Sequence, residues 1–427
     1  MAPNSAARQR PLRVLLPALG SAGDVHPVIA LGLALRARSH RVTILTNPHF
    51  QPLIEQQGLR FLPVGTLADA DAAIADPDLW HPRKGFGVVA QRVMVPAIAA
   101  IYRLIETHAD ADTVVATSGI ALGARVAQEK LGVPTATIHL QPSIIRSLVD
   151  QGLAGTLRIS ASQPMWFKQA FFRLVDWLVV DCHLKRPLNE FRATLGLRPV
   201  SRVLRRWVHS PQCVIGFFPQ WFAPPQPDWP PQVHLVGFPL WDAAAHAVIP
   251  PEAEEFLTAD EPPLVFTPGS AASMMQRFFR ESAAAVREID RRAMFVTNYP
   301  AQLPRALPSG VRSFGYLPFS AVLPRAALLV YHGGIGTLAQ AIKAGIPHLV
   351  VPNGHDQFDN GWRIERIGLG RSIPQRRYRG KGVAEALRAL LSDSVLRQRA
   401  RDYAARMDSV GALTRACELI EALAAGG

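Results

Sequence analysis

The sequence predicts an α/β protein made of two facing, Rossmann-like, doubly wound domains with a cleft between them. Short apolar runs of strand length alternate with helical stretches over residues 13–140, and again over 263–351. A stretch dense in proline and tryptophan separates the two alternations. Each alternation also places a glycine-bearing loop between an apolar run and a helix, the position at which open parallel sheets bind ligands. The 427 residues exceed one typical core and suit two domains.

RVLLPAL (13–19) is apolar, ends at Gly20 and reads as a buried strand. After GSAGDVHP (20–27), Pro27 suits a first helical turn, and Val28, Leu31, Ala34 and Leu35 recur at helical spacing. RVTILT (41–46) is a second strand, PHFQPLIEQQG (48–58) a short helix stopped at Gly58, and LRFLPV (59–64) a third strand. DTVVAT (112–117), a helix and VPTATIHL (133–140) continue the pattern. Residues 218–250 hold too much proline for regular helix or sheet. They divide an N-terminal domain (1–217) from a C-terminal domain (251–427). There PLVFT (263–267), AMFVT (293–297), ALLVY (327–331) and PHLVV (347–351) are short buried strands. Residues 383–425, rich in Ala, Leu and Arg, are terminal helices.

Composition narrows the function. Hydrophobic residues make up 48% and charged residues 19%, the balance of a globular chain. The formal charge of +13 favours anionic partners such as nucleotides, acidic lipids or carboxylates. The basic residues form no long run and no nucleic-acid signature surrounds them, so nucleic acid is not an expected partner; RRW (205–207) and RQRAR (397–401) read as solvated surface. Cys182, Cys213 and Cys417 fit no metal or redox spacing and read as ordinary thiols of a reducing compartment. The first ten residues, MAPNSAARQR, lack the apolar core of a signal peptide. No apolar run reaches the ~18 residues of a membrane span. A cytoplasmic protein is expected, with peripheral attachment to the inner face of the cytoplasmic membrane, or to a partner enzyme, left open.

ALLVYHGGIGTLAQAIKAG (327–345) is the most informative stretch. An apolar run gives way to His332, Gly333, Gly334, Ile335, Gly336 and Thr337, and then to a helix. Glycines let backbone N–H groups approach an anion, and the helix N-terminus adds roughly half a positive charge. Either feature alone is compatible with packing; together they describe a pyrophosphate cradle. The loop is not a P-loop, since no GK[ST] follows, and GSAG (20–23) is not the G-x-G-x-x-G of nicotinamide enzymes. In VVPNGHDQFDN (350–360), Asp356 and Gln357 join a carboxylate and an amide able to hold vicinal hydroxyls, although Asp356 also suits a plain helix cap. No D-x-D motif stands at a strand end, since both DAD triplets (69–71 and 110–112) lie in polar, loop-like contexts. Neither a metal nor a cofactor is expected, the helix terminus taking the ion's place.

The order YLPFSAVLP (316–324), HGGIGT (332–337) and HDQFDN (355–360) resembles the donor signature of the family 1 nucleotide-sugar glycosyltransferases. These have the GT-B architecture of two facing Rossmann-like domains. The resemblance implies that His332, Gly334, Gly336 and Thr337, with Ser270 of TPGS (267–270), hold the donor pyrophosphate. Tyr316 and Leu317 would border the base, and Asp356 and Gln357 would hold the donor sugar. Gln340 stands where plant members carry a ribose-gripping Glu, which is compatible with a thymidine-type donor; Tyr316 stands where they stack a Trp. Many members place a histidine base in G-H-x-x-P. Here the run is G-D-V-H-P, so Asp24 takes the place of the base, as in many bacterial lipid, sterol and antibiotic glycosyltransferases. Two alternatives stand beside this: Asp24 only caps the following helix, or His26 is the base. His26 is otherwise expected to assist by lining or orienting the site.

DPDLWHPRKGFGV (76–88), HSPQ (209–212), FPQWFAPPQPDWP (218–230) and GFPLWD (237–242) look like the rhamnosyltransferases of rhamnolipid synthesis. That resemblance implies inverting transfer of a rhamnosyl group from dTDP-L-rhamnose to a 3-(3-hydroxyalkanoyloxy)alkanoic acid, an amphiphilic hydroxy-lipid. The rival is a UDP-glucose-dependent enzyme acting on a sterol, polyketide or other hydrophobic alcohol. An epimerase of the same architecture would need no acceptor, and a non-catalytic nucleotide-sugar binder would be indifferent to loss of Asp24. MWFKQAFFRLVDWLVVDCHLKRPL (165–188) is dense in aromatics; Phe171 and Trp177 are expected in an acyl groove or a membrane-facing surface. Lys168, Arg173, Lys185 and Arg186 offer a cation for the acceptor carboxylate.

Overall fold

The computed structural model describes residues 10–150, 153–154, 157–158, 163–242, 249–259, 261–269 and 275–425. The first sheet holds β1 (Arg13–Pro17), β2 (Arg41–Thr46), β3 (Arg60–Pro63), β4 (Thr113–Ser118) and β5 (Thr135–His139). A two-strand hairpin, β6 (Leu153–Ala154) and β7 (Leu157–Arg158), stands apart from it, and β8 (Cys213–Gly216) and β9 (Val233–Leu235) complete it. Its order is β3-β2-β1-β4-β5-β8-β9, parallel throughout. The second sheet holds β10 (Leu264–Thr267), β11 (Ala293–Val296), β12 (Val311–Phe314), β13 (Leu328–Tyr331), β14 (His348–Val350) and β15 (Gly370–Ser372). It runs β12-β11-β10-β13-β14-β15, again parallel. Helices cover both faces of both sheets, which is why strands such as Leu264–Thr267 are buried at every residue.

Strand order reverses between β1 and β4 in one sheet, and between β10 and β13 in the other. The GSAGD loop follows β1 and the HGGIG loop follows β13, so each opens beside a switch point, where such sheets bind ligands.

Three sequence expectations need correction. The first helix begins at Ala22, not near Pro27, because Ser21 and Asp24 cap it; Pro27 lies inside, forfeiting one backbone hydrogen bond. The Pro/Trp-rich segment does contribute regular structure, since β9 pairs with β8 at the sheet edge. Phe218, Phe222, Trp229 and Phe238 of that segment are buried in a core cluster drawing residues from both sheets. Finally, the continuous helical run Gly85–His108 is, by length and composition alone, long and apolar enough to cross a membrane. Gln91, Arg92 and Arg103 broke it up as an apolar run. Its Met94, Ile98, Ile101 and Ile105 are buried in the N-terminal core, and its Val95–His108 part packs against helices Leu122–Leu131 and Cys182–Thr194.

The last helix, Ser409–Ala425, crosses back to pack on helix Ala22–Ala37 and strands β4, β5 and β8. Glu421 there accepts hydrogen bonds from Arg38 at 2.6 and 2.7 Å, with His40 Nε2 at 2.8 Å.

Candidate active site

A cavity of about 1640 Å³ lies between the two sheets. The GSAGD loop borders it on one side, and the HGGIGT and HDQ loops on the other. Helices Ala22–Ala37 and Ile335–Ala344 both start there. The two starts are close: a Cβ added to Gly336 would lie 3.6 Å from Gly23 Cα. Two helix N-termini therefore face one space, a favourable setting for an anion.

Asp24, His332, Gly334, Gly336, Thr337, Asp356 and Gln357 line this cavity together. Asp24 uses Oδ2 to accept from Ser21 N–H (2.8 Å) and Oγ–H (3.1 Å). Its Oδ1 accepts no hydrogen bond among the described residues, so one carboxylate caps the helix and keeps an oxygen for a ligand. Burial raises its pKa above the ordinary 3.8, opposed by the two Ser21 hydrogen bonds. Burial pushes His332 down to about 4, so its imidazole is neutral. Its Nδ1 is buried without a hydrogen-bond partner among the described residues. Glycine is required beside it, since a Cβ on Gly334 would fall 2.3 Å from His332 Nε2.

Asp356 stands at the start of helix Gln357–Arg366 without capping it; its Oδ2 accepts from Asn360 Nδ2 at 2.6 Å. Burial pushes its pKa up to about 7, and the charge of Asp24 adds to the rise. Gln357 Oε1 accepts from the N–H groups of Asn353 (2.9 Å) and Gly354 (3.2 Å), which leaves its NH₂ for a ligand. Among the described residues no group of three or more His, Cys, Asp or Glu could hold a metal ion. Ser270 lies outside the described residues.

Other expected site residues lie elsewhere. His26 does not line the cavity: two residues beyond Asp24 its side chain turns away, and it packs edge-on against Trp241 (5.1 Å) and Phe50 (6.5 Å). Burial brings it to about 4, with Asp242 opposing the fall. Tyr316 is exposed outside the cavity, donating to the Asp242 carbonyl at 2.5 Å. Leu317 is a core residue and Gln340 is buried in helix Ile335–Ala344, neither reaching the cavity wall. Phe171 packs on Phe172, and Trp177 is 67% exposed. Phe172, Val175, Val179 and Val180 form the wall instead. A π-helical stretch, Asp176–Asp181, follows Val175 in this segment. Lys168 is buried, donating to the Leu148 carbonyl at 3.2 Å, and Arg173, Lys185 and Arg186 lie outside the cavity lining.

Sequence reasoning missed Asn298 and Tyr299, just past β11, and His355, all of which line the cavity. His355 has φ +54° and packs edge-on against Trp80 at 5.3 Å. Its Nε2 lies 2.9 Å from the Leu79 carbonyl oxygen, tying the donor-side loop to the first domain. Both residues stand inside quoted motifs, but no local spacing links positions 276 residues apart.

Comparison with known proteins now decides the class. Residues 14–150 match the glycosyltransferase family 28 N-terminal domain, and residues 282–423 match the erythromycin biosynthesis protein CIII-like C-terminal domain. The fold matches the crystal structure of the kitacinnamycin glycotransferase at TM-score 0.73 and 20% identity, over 97% of this chain and 99% of that one.

The chain is a GT-B glycosyltransferase.

This glycosyltransferase uses a nucleotide-sugar donor. It is 29% identical to the O-mycaminosyltylonolide 6-deoxyallosyltransferase of Streptomyces fradiae, over 96% of this chain and 97% of the relative. Its fold also matches the spinosyn rhamnosyltransferase SpnG complexed with thymidine diphosphate, at TM-score 0.66 and 19% identity over 95% and 100% of the two chains.

Proposed function

We propose that this glycosyltransferase moves a rhamnosyl group from dTDP-L-rhamnose to the hydroxyl of a 3-(3-hydroxyalkanoyloxy)alkanoic acid, with inversion and without a metal. The observation that carries the reading is the composition of the cavity. Its donor end is polar, while Phe86, Val89, Val93, Phe172, Val175 and Val179 supply an apolar wall suited to acyl chains. The relative that transfers a 6-deoxyallosyl group supports a 6-deoxyhexose donor.

In this reading His332, Gly334, Gly336, Thr337 and Ser270 hold the pyrophosphate, and the start of helix Ile335–Ala344 stabilises charge developing on the leaving diphosphate. Asp356 and Gln357 hold the sugar hydroxyls. The free oxygen of Asp24 takes the acceptor proton as the hydroxyl oxygen bonds to the anomeric carbon and the diphosphate leaves from the opposite face. One displacement inverts that carbon. A carboxylate is a weak base for an alcohol, so proton transfer comes late, as the bond forms.

The reading also puts the protein in the cytoplasm, peripheral to the inner face of the membrane. The helix that walls the cavity leaves Trp166 (70%) and Trp177 (67%) exposed. Sedimentation with anionic vesicles, lost in a Trp166→Ser/Trp177→Ser variant, is the expected result.

The test is a matrix of donors and acceptors read by mass spectrometry. It pairs dTDP-rhamnose and UDP-glucose with a hydroxyalkanoyl lipid acid and a sterol. Product only from dTDP-rhamnose and the acid is expected. Glucosylated sterol would favour the second reading, transfer to a neutral hydrophobic alcohol, and donor turnover without acceptor would indicate an epimerase.

A further inference from the structure

Four arginines line the cavity, and three are neutralised. Arg92 pairs with Asp76 at 2.9 Å, Arg146 pairs with Asp176, and Arg363 pairs with Asp150 at 3.1 Å and Asp359 at 2.8 Å. The fourth, Arg83, has no carboxylate partner among the described residues. Its neighbour Lys84 is taken by Asp78 at 3.0 Å. Among the described residues, Arg83 is therefore the cavity-lining arginine that no carboxylate of the protein engages.

The turn that carries it is organised. His81 Nδ1 accepts from the backbone N–H groups of Arg83 (3.2 Å) and Lys84 (3.3 Å). A neutral ring that accepts at Nδ1 carries its proton on Nε2, so His81 retains one N–H for a ligand. His81 and Arg83 both line the cavity and are solvent-exposed. Leu79, two residues before His81, is tied to His355 beside Asp356, so the turn is held in register with the donor side. Trp80, Pro82, Phe86 and Val89 give the same wall an apolar surface.

We propose that the His81–Arg83 turn is a carboxylate-binding subsite, in which the Arg83 guanidinium and His81 Nε2–H receive the acid group of an amphiphilic acceptor whose chains lie on the apolar wall. The proposal rests on the reading of the acceptor as an acid. An arginine–carboxylate contact of this kind is a charge-assisted hydrogen bond, which discriminates against the uncharged analogue.

The test compares a 3-(3-hydroxyalkanoyloxy)alkanoic acid with its methyl ester, in wild type and in Arg83→Gln, Arg83→Lys and His81→Phe variants. Acceptor KM is measured by turnover, and binding by calorimetry without donor. Arg83→Gln should raise KM and Kd for the acid roughly tenfold or more, the size of one charge-assisted bond. The ester's values should move less than about twofold, since it lacks the charge. Arg83→Lys should recover part of the acid's affinity, and His81→Phe should also weaken the acid selectively. Equal effects on acid and ester, or none on either, would overturn the subsite while leaving the transfer reaction standing. Acid-selective, Arg83-dependent binding without turnover would instead keep the subsite and count against the proposed reaction.

Discussion

Two carboxyls, Asp24 and Asp356, line the cavity, and burial has raised both. Asp24→Asn removes the proposed base while an amide oxygen can still cap the helix through Ser21. The expected outcome is a fall in kcat of roughly 10²–10⁴-fold with little change in donor KM, measured by steady-state kinetics. The same variant has a second readout. Asp356 lies at about 7, raised first by burial and then by the charge of Asp24. Coulomb interaction is mutual, so the two carboxyls titrate as a pair. Removing the Asp24 charge should lower the Asp356 midpoint, while burial keeps it above the ordinary 3.8. A carboxyl raised in the folded state contributes stability that is fully present below 3.8 and lost as pH rises through about 7. Asp356→Asn should therefore raise Tm relative to wild type at pH 8, with the gain vanishing toward pH 4. A gain equal at both pH values would mean that Asp356 is not held protonated by its surroundings.

The HGGIGT loop is an element whose glycines do unequal work. In Gly334→Ala the new Cβ would meet His332 Nε2 at 2.3 Å, so the imidazole must shift. In Gly336→Ala the nearest atom would be Gly23 Cα at 3.6 Å, an ordinary contact. Gly334→Ala should lose roughly 1–3 kcal/mol of stability and raise donor KM, whereas Gly336→Ala should hold the wild-type Tm; calorimetry and donor titration measure both. Elements of this kind were legible in the sequence. An apolar run ending in glycine before a helix marks β1 and β13 with their loops, because buried parallel strands and anion-binding helix starts both leave local signals. Features fixed by phase or by distant contact were not legible. Pro27 pointed to a late helix start, yet Ser21 and Asp24 cap the chain six and three residues earlier. Three residues of β9 hide among prolines because one parallel neighbour is enough to order an edge strand. Phe171 and Trp177 were expected, from the density of aromatics, in an acyl groove or a membrane-facing surface; density does not say which face each ring takes, and in the fold Phe171 packs on Phe172 while Trp177 is exposed. His26, Tyr316, Leu317 and Gln340 were placed by motif position, which says nothing about where a side chain points. His355 and Trp80 meet only through the folded chain.

At the scale of the molecule, the cleft is held by contacts between the halves of the chain. Arg363 and Arg366 reach Asp150, His355 reaches Leu79, and the terminal helix brings Glu421 to Arg38 and His40. The Glu421 network is the one best placed to reveal how much these straps matter. His40 Nδ1 accepts from Leu12 N–H at 3.1 Å, so its Nε2 carries the proton and donates to Glu421 without the ring being charged. The Arg38 hydrogen bond lowers the Glu421 pKa below the ordinary 4.5, against burial, which acts to raise it. Its stabilising effect is therefore present above 4.5 and is lost as pH falls through the lowered folded value. Removing one partner of a fully buried pair costs about 3–5 kcal/mol. Arg38 keeps 39% of its side chain exposed, so Glu421→Gln should cost less, roughly 1–3 kcal/mol at pH 7. Denaturant melts of wild type and Glu421→Gln from pH 7 to pH 3 should converge at the acid end. If the two curves stay equally far apart at pH 3, the carboxylate is not what ties the terminal helix to the first domain, and the apolar packing of Ala416, Cys417 and Ile420 holds it alone.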